Sequence, residues 1–196
     1  MHKRHFLAAA AAAGALPLAT TAAAQASAKA RPTLLTVGGL IGKGNRGPLD
    51  KALDQMMAKH GVAFSKAFTF SAESLQALPA VSIRPTLEYD NKKHKLTGPL
   101  LTSVLAAAGV DTNANLPVGL RAVDGYNAKI DLADIKAYRM IVATHLDDQP
   151  MALGGLGPQW AVYDADVLPA FRDKPVTDRF ALCPWGMYYI DVAAKT

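Results

Sequence analysis

Residues 96–126 read LTGPLLTSVLAAAGVDTNANLPVGLRAVDGY, and the rest of the chain is organised around them. Gly98-Pro99 joins a break to a start, because proline suits the first turn of a helix, where its missing N–H would have no partner. Leu100, Leu101, Val104, Leu105 and Ala108 recur at helical spacing and make one apolar stripe. Gly109 supplies the left-handed backbone that ends such a helix. Beyond a short loop, Val118, Leu120 and Ala122, with Val123 at the end, predict a half-buried strand. Asp124-Gly125-Tyr126 closes that strand as a turn carrying an acid and a phenol. A helix feeding a strand that ends in a polar turn is one way to build a pocket wall. A plain connection with a structural turn is the simpler alternative.

Upstream, Thr33 to Val37 predicts a strand, followed by Gly42-Lys43-Gly44-Asn45-Arg46-Gly47, which matches G-x-G-x-x-G. A helix from Pro48 to Gly61 is expected next, with Leu49, Ala52, Leu53, Met56 and Met57 on one face. Strand, glycines and helix stand in the order of a dinucleotide site. The match fails in detail. In that fingerprint the third glycine lies inside the helix, whereas Pro48 restarts the helix after it. Ala63 to Phe70, the next strand candidate, carries no acid for a ribose. Lys43 is followed by Gly44 rather than Ser or Thr, so a phosphate loop fails too. A tight exposed turn is the better reading.

Ser71 is expected to cap a short helix ending at Leu78-Pro79. Val81 to Arg84 is a strand broken by Pro85, hence an edge or a bulge. Thr86 to Tyr89 resumes it, and Asp90 to Lys95 forms a polar tip. Ala128 to Leu132 is a short strand, and Asp131 or Asp134 caps a brief helix to Tyr138. Arg139 to His145 is the most β-branched run and is expected to be a central strand. Trp160 to Tyr163 and Trp185 to Val192 are further strands. Short strands with a few interspersed helices predict a single α+β domain with a mixed sheet, not a doubly wound one.

The chain has 196 residues, enough for one domain with a real core. Residues 1–28 read as an export signal. His2-Lys3-Arg4-His5 is a basic start, an alanine-rich apolar stretch follows, and Ala24-Gln25-Ala26 and Ala26-Ser27-Ala28 are small-x-small cleavage sites. Lys3-Arg4-His5-Phe6-Leu7 resembles the twin-arginine export motif, and an ordinary secretory signal is the alternative. The mature domain is then 29–196, in the periplasm or secreted, with no later stretch apolar enough to span a bilayer. The formal charge of +5 falls to +3 once Lys3 and Arg4 leave with the signal. No basic run with interleaved aromatics suggests a nucleic-acid partner. Cys183 is the only cysteine, which excludes an internal disulfide and any multi-cysteine metal site.

From about Leu35 to Val192 the chain resembles the sulfite-oxidase-type molybdopterin-binding domain in its short exported bacterial form. The segments that carry the resemblance are LTVGGLIGKGNRG, FTFSAESLQALP, LTGPLLTSVLAAAGV, AVDGYNAKIDLADI, IVATHLDDQPM, GGLGPQWAVYD and WGMYYIDV, in that order. The resemblance implies a mixed α/β sheet holding a molybdopterin cofactor. It also implies oxidoreductase chemistry, with electrons passed to a periplasmic or membrane redox or sensor partner. Arg84, Asp124, Gly125 and Tyr126 are the implied cofactor-binding residues, and no residue is assigned to catalysis. The family ligates molybdenum through a cysteine just after the strand equivalent to Val81–Arg84, where this chain has Pro85-Thr86. A hydroxyl is a poor substitute for a soft thiolate, and no metal-ligand set is expected. A non-catalytic periplasmic binding or interaction module on the same fold is therefore the alternative.

The remaining polar candidates have simpler explanations. Cys183 reads as a small buried hydrophobe. His145-Leu146-Asp147-Asp148 has metal-ligand residue types, but three ligands within one turn rarely reach one ion. Glu88, Asp90 and His94 would suit an acid–base site, and a solvated hairpin accounts for them equally. His60 suits a helix C-terminus. Ser71, Ser74 and Ser103 lack a nucleophile's setting.

Overall fold

A computed structural model of the chain describes residues 31–195. The expected export signal, 1–28, lies outside the described residues. In chain order the elements are β1 (Leu35–Gly39), α1 (Gln55–Lys59), β2 (Phe68–Phe70), α2 (Ala72–Gln76), β3 (Ala80–Ile83), β4 (Leu96–Pro99), α3 (Leu101–Ala107) and β5 (Pro117–Ala122). They continue with β6 (Asn127–Asp131), α4 (Leu132–Ala137), β7 (Ile141–Ala143), β8 (His145–Leu146), β9 (Gln149–Pro150), β10 (Trp160–Val162) and β11 (Met187–Val192).

The main sheet runs β2-β1-β11-β5-β6. Only β1 and β11 are parallel within it; the other pairs are antiparallel. A second sheet runs β3-β4-β8-β9, and β10 pairs with β7. This is the expected mixed α+β architecture. Because β11 is flanked on both edges, it buries Met187, Tyr188, Tyr189, Ile190 and Val192 and leaves only Asp191 exposed. In β5 the expected alternation holds: Val118, Leu120 and Ala122 are buried, and the residues between them are half-buried.

Several local expectations hold for local reasons. Ser71 caps α2 by accepting from the Ser74 N–H at 3.3 Å, and Ser74 Oγ in return accepts the Ser71 N–H at 2.8 Å. Leu101, Val104, Leu105 and Ala108 are fully buried along α3. Gly109 follows with φ +78°, and the Val110 N–H returns to the Leu105 carbonyl, which stops the helix.

Others are corrected. Leu96–Pro99 is strand, not helix start: Leu96 pairs with Ile83 on one side and Leu146 on the other, so pairing overrides the proline signal. The helix expected over 48–61 shrinks to the five residues of α1, and Leu53 is 82% exposed. Asp50 draws the Ala52 N–H into a turn, and Asp54 accepts the Asp50 N–H and pairs with Arg46, so side chains compete with the helix. The strand expected over 63–70 keeps only Phe68–Phe70. Thr86 to Tyr89 contributes a single bridge, Thr86 to Lys93. Arg139 to His145 is not one central strand. Arg139 takes φ +50° after α4, and the run splits into β7 and β8 in different sheets.

Thr36 is fully buried on β1, and its hydroxyl has no hydrogen-bond partner. An unpaired buried hydroxyl costs roughly 1–3 kcal/mol. Thr36→Val keeps the β-branched shape and removes that cost. We expect its unfolding free energy in urea titration to match or exceed that of the parent, by up to about 1 kcal/mol. A loss of stability would show that the hydroxyl is partnered.

Candidate functional site

The β5–β6 hairpin turns at Asp124-Gly125-Tyr126. Gly125 has φ +93°, the Tyr126 N–H donates to Asp124 Oδ1 at 2.8 Å, and the Ala122 N–H donates to the Tyr126 carbonyl at 2.8 Å. A Cβ on residue 125 would meet His60 Nε2 at 3.3 Å, so glycine serves both the φ and the close approach. His60 caps α1, as expected, and its Nδ1 lies 2.8 Å from the Tyr188 hydroxyl. Arg121 Nη1 donates to the Gly125 carbonyl at 3.3 Å. The Tyr126 hydroxyl donates to the Ala181 carbonyl at 2.5 Å, which fixes the phenol against the loop before β11.

Between this corner and that loop lies a cleft of about 130 Å³. Asp124 and Tyr126 line one side, Glu88 and Tyr89 another, and Phe180, Cys183 and Trp185 the third. The fully buried Trp160 supports the third wall, its Nε1–H donating to the Cys183 carbonyl at 2.7 Å. Burial pushes the Cys183 thiol up to about 12, so it stays protonated at neutral pH. Burial, with the Glu88 carboxylate beside it, pushes the Tyr89 phenol up to about 12 as well.

Two of the expected site residues, Asp124 and Tyr126, thus share a cleft, with Gly125 making their turn. Arg84 is not brought to it. Arg84 lines a separate hollow of about 310 Å³ with Tyr138, Arg139 and Asp164, and its N–H donates to Asp164 Oδ2 at 3.2 Å. Glu88 is a candidate in the sequence only beside Asp90 and His94, and Tyr89, Phe180 and Trp185 are not legible as site residues. Phe180 and Trp185 lie more than fifty residues beyond the turn, with no motif to link them to it. Only the strand break at Pro85 hinted that Glu88 and Tyr89 turn away from a sheet. Cys183 is 4% exposed, as expected of a buried hydrophobe, yet it also borders the cleft.

Thr86, which stands where the resemblance expects a ligand cysteine, is already hydrogen-bonded. Both the N–H and the hydroxyl of Thr86 donate to Asp166 Oδ2, at 3.0 and 2.7 Å, and Arg179 Nη1 binds Asp166 Oδ1 at 2.9 Å. The cleft offers two carboxylates and no cationic side chain to grip a phosphate. No three His, Cys, Asp or Glu among the described residues are placed to hold a metal ion. At about 130 Å³ the cleft is well below the roughly 300–1,000 Å³ of sites for drug-sized ligands. The residues of this cleft do not fit molybdopterin.

The hairpin acids do meet, but as a clasp. His94 Nδ1 lies 2.7 Å from Asp147 Oδ2, and its Nε2 lies 3.0 Å from Asp90 Oδ2. Lys95 Nζ pairs with Asp148 at 2.7 Å. Glu88 faces the cleft instead. The hydrogen bonds that His94 donates to Asp147, then to Asp90, raise its pKa above the ordinary value, and accepting them lowers both carboxylates. The histidine's contribution to stability is therefore complete below about pH 6.5 and is lost as pH rises through the raised folded value. The carboxylates' contribution is lost only in acid, as pH falls through their lowered values. We expect the melting temperature to fall by about 1–3 °C between pH 6 and pH 8.5, and His94→Asn to remove that fall. An unchanged slope in His94→Asn would refute the clasp.

No family model matches the chain, and no curated protein sequence matches it. Among solved structures, the sulfane dehydrogenase SoxCD from Paracoccus pantotrophus is similar in fold. The match has a TM-score of 0.55 at 11% identity and covers 82% of this chain and 38% of that one. This chain therefore spans well under half of that protein, and the likeness concerns the fold.

Proposed function

We propose that this chain is an exported, non-catalytic binding module on the sulfite-oxidase-type molybdopterin fold, with the Asp124–Tyr126 cleft as its ligand site. The chemistry of the cleft carries this reading: it presents two carboxylates and no cationic side chain, and Thr86, where the resemblance expects a ligand cysteine, is committed to Asp166. The periplasm or the medium outside the cell is its compartment, given the signal expected over 1–28. Its partner is a small ligand or a periplasmic or membrane sensor protein.

The second reading is a molybdopterin-binding oxidoreductase that passes electrons to a separate partner. The fold likeness to a sulfane dehydrogenase over 82% of the chain favours it. Metal analysis of protein purified through its native export route separates the two. We expect molybdenum well below one atom per ten chains. Near-stoichiometric molybdenum would establish the oxidoreductase and end the binding-module reading.

A further inference from the structure

We propose that the corner cleft receives an alkylated ammonium ion of the trimethylammonium type carried by choline-like molecules. The proposal rests on the binding-module reading and names its ligand class.

Tyr89, Tyr126 and Trp185 are 53%, 49% and 39% exposed, and they are the only aromatic side chains among the large hydrophobic residues left exposed in the described chain. All three line this one cleft. Leaving aromatic rings in water forfeits their burial, so their convergence on one cavity marks a surface that something else covers. Glu88 and Asp124 stand among them, and neither is ion-paired among the described residues. Arg121 does not line the cleft, and its guanidinium donates to the Gly125 carbonyl.

Aromatic walls with net negative charge suit a cation that brings no N–H. A quaternary ammonium needs no hydrogen-bond acceptors, and it is drawn to the negative faces of aromatic rings and to carboxylates. Two carboxylates repel an anion. A neutral ligand would cover the carboxylates and leave their charge uncompensated. No group of three protein ligands stands among the described residues to replace a metal ion's hydration shell. The small volume, about 130 Å³, suits a headgroup rather than a cofactor. The parts are also held in place: Tyr126 by the Ala181 carbonyl, Asp124 by the Tyr126 N–H, and the Trp185 loop by Trp160.

The test is calorimetric titration of the mature chain with tetramethylammonium chloride and choline chloride, against ammonium and sodium chloride at equal ionic strength. Saturable one-to-one binding is expected for the two quaternary ions, at least tenfold tighter than for ammonium or sodium. Glu88→Gln and Trp185→Leu should each weaken it about tenfold, and Glu73→Gln, far from the cleft, should leave it unchanged. Equal response to sodium, or full affinity in both Glu88→Gln and Trp185→Leu, would overturn the proposal. Molybdenum is measured on the same preparation. Little molybdenum with no quaternary-ion binding overturns this proposal and leaves the binding module standing, whereas stoichiometric molybdenum overturns the module itself.

Discussion

Gly98→Val should yield no folded protein, and Gly98→Ala should lose at least about 3 kcal/mol of stability. Gly98 is buried in β4, which pairs with β3 and β8 and packs on β7. A Cβ there would overlap the Val142 carbonyl and crowd the Ala143 Cα. Both neighbours are backbone atoms of a strand whose residues are completely buried, so no side chain can swing aside. Either β4 and β7 separate or one of them bends, and each route breaks core contacts. A domain of this size has about 5–15 kcal/mol to lose, so the larger side chain exceeds what the fold tolerates. Urea unfolding followed by circular dichroism measures the alanine variant, and soluble yield reports on the valine. A Gly98→Ala protein within 1 kcal/mol of the parent would show that β4 and β7 have room to part.

Trp160→Ala should cost about 3–5 kcal/mol and lower the melting temperature by roughly 10 °C. The indole is completely buried, with the Phe180 ring centroid at 5.9 Å and that of Tyr89 at 6.5 Å. Its loss leaves a cavity and also strips the Cys183 carbonyl of its donor. Trp160→Phe keeps most of the packing and loses the N–H, so about 1–2 kcal/mol is expected there. Because Tyr89, Phe180 and Cys183 also wall the cleft, Trp160→Ala should loosen the ligand site as well as the fold. Calorimetric melting of both variants, with the quaternary-ammonium titration repeated on the phenylalanine form, separates the two effects. A melting temperature within 2 °C of the parent for Trp160→Ala would show that the indole is not the support described.

Much of the local structure was legible in the residues alone. Ser71 at a helix start, the stripe from Leu101 to Ala108 with Gly109 after it, the alternation in β5 and the Asp124-Gly125-Tyr126 turn all depend on neighbours a few positions away. Backbone φ preference, capping and side-chain period act over that range. The helix expected over 48–61 failed because Asp50, Asp54 and Arg46 offer the backbone other partners, a competition that periodicity does not register. Arg84 is grouped with Asp124 only by the family resemblance. The strand that carries it instead delivers it to another hollow, beside Arg139 and Asp164.

By itself, then, the sequence determined some of the short elements, α2, α3, β5 and β6 among them, with the mixed α+β class and the acid–phenol turn, because each is set by contacts close along the chain. Only the tertiary structure decided that the last strand lies in the middle of the main sheet. It alone brought Glu88 and Tyr89 to face Asp124 and Tyr126 across a cleft closed by Trp185. Those placements depend on pairings between residues dozens of positions apart, Thr36 with Tyr189 and Val118 with Val192 among them. The free energy of such pairings comes from burying many side chains at once, and no local pattern encodes which partners will meet.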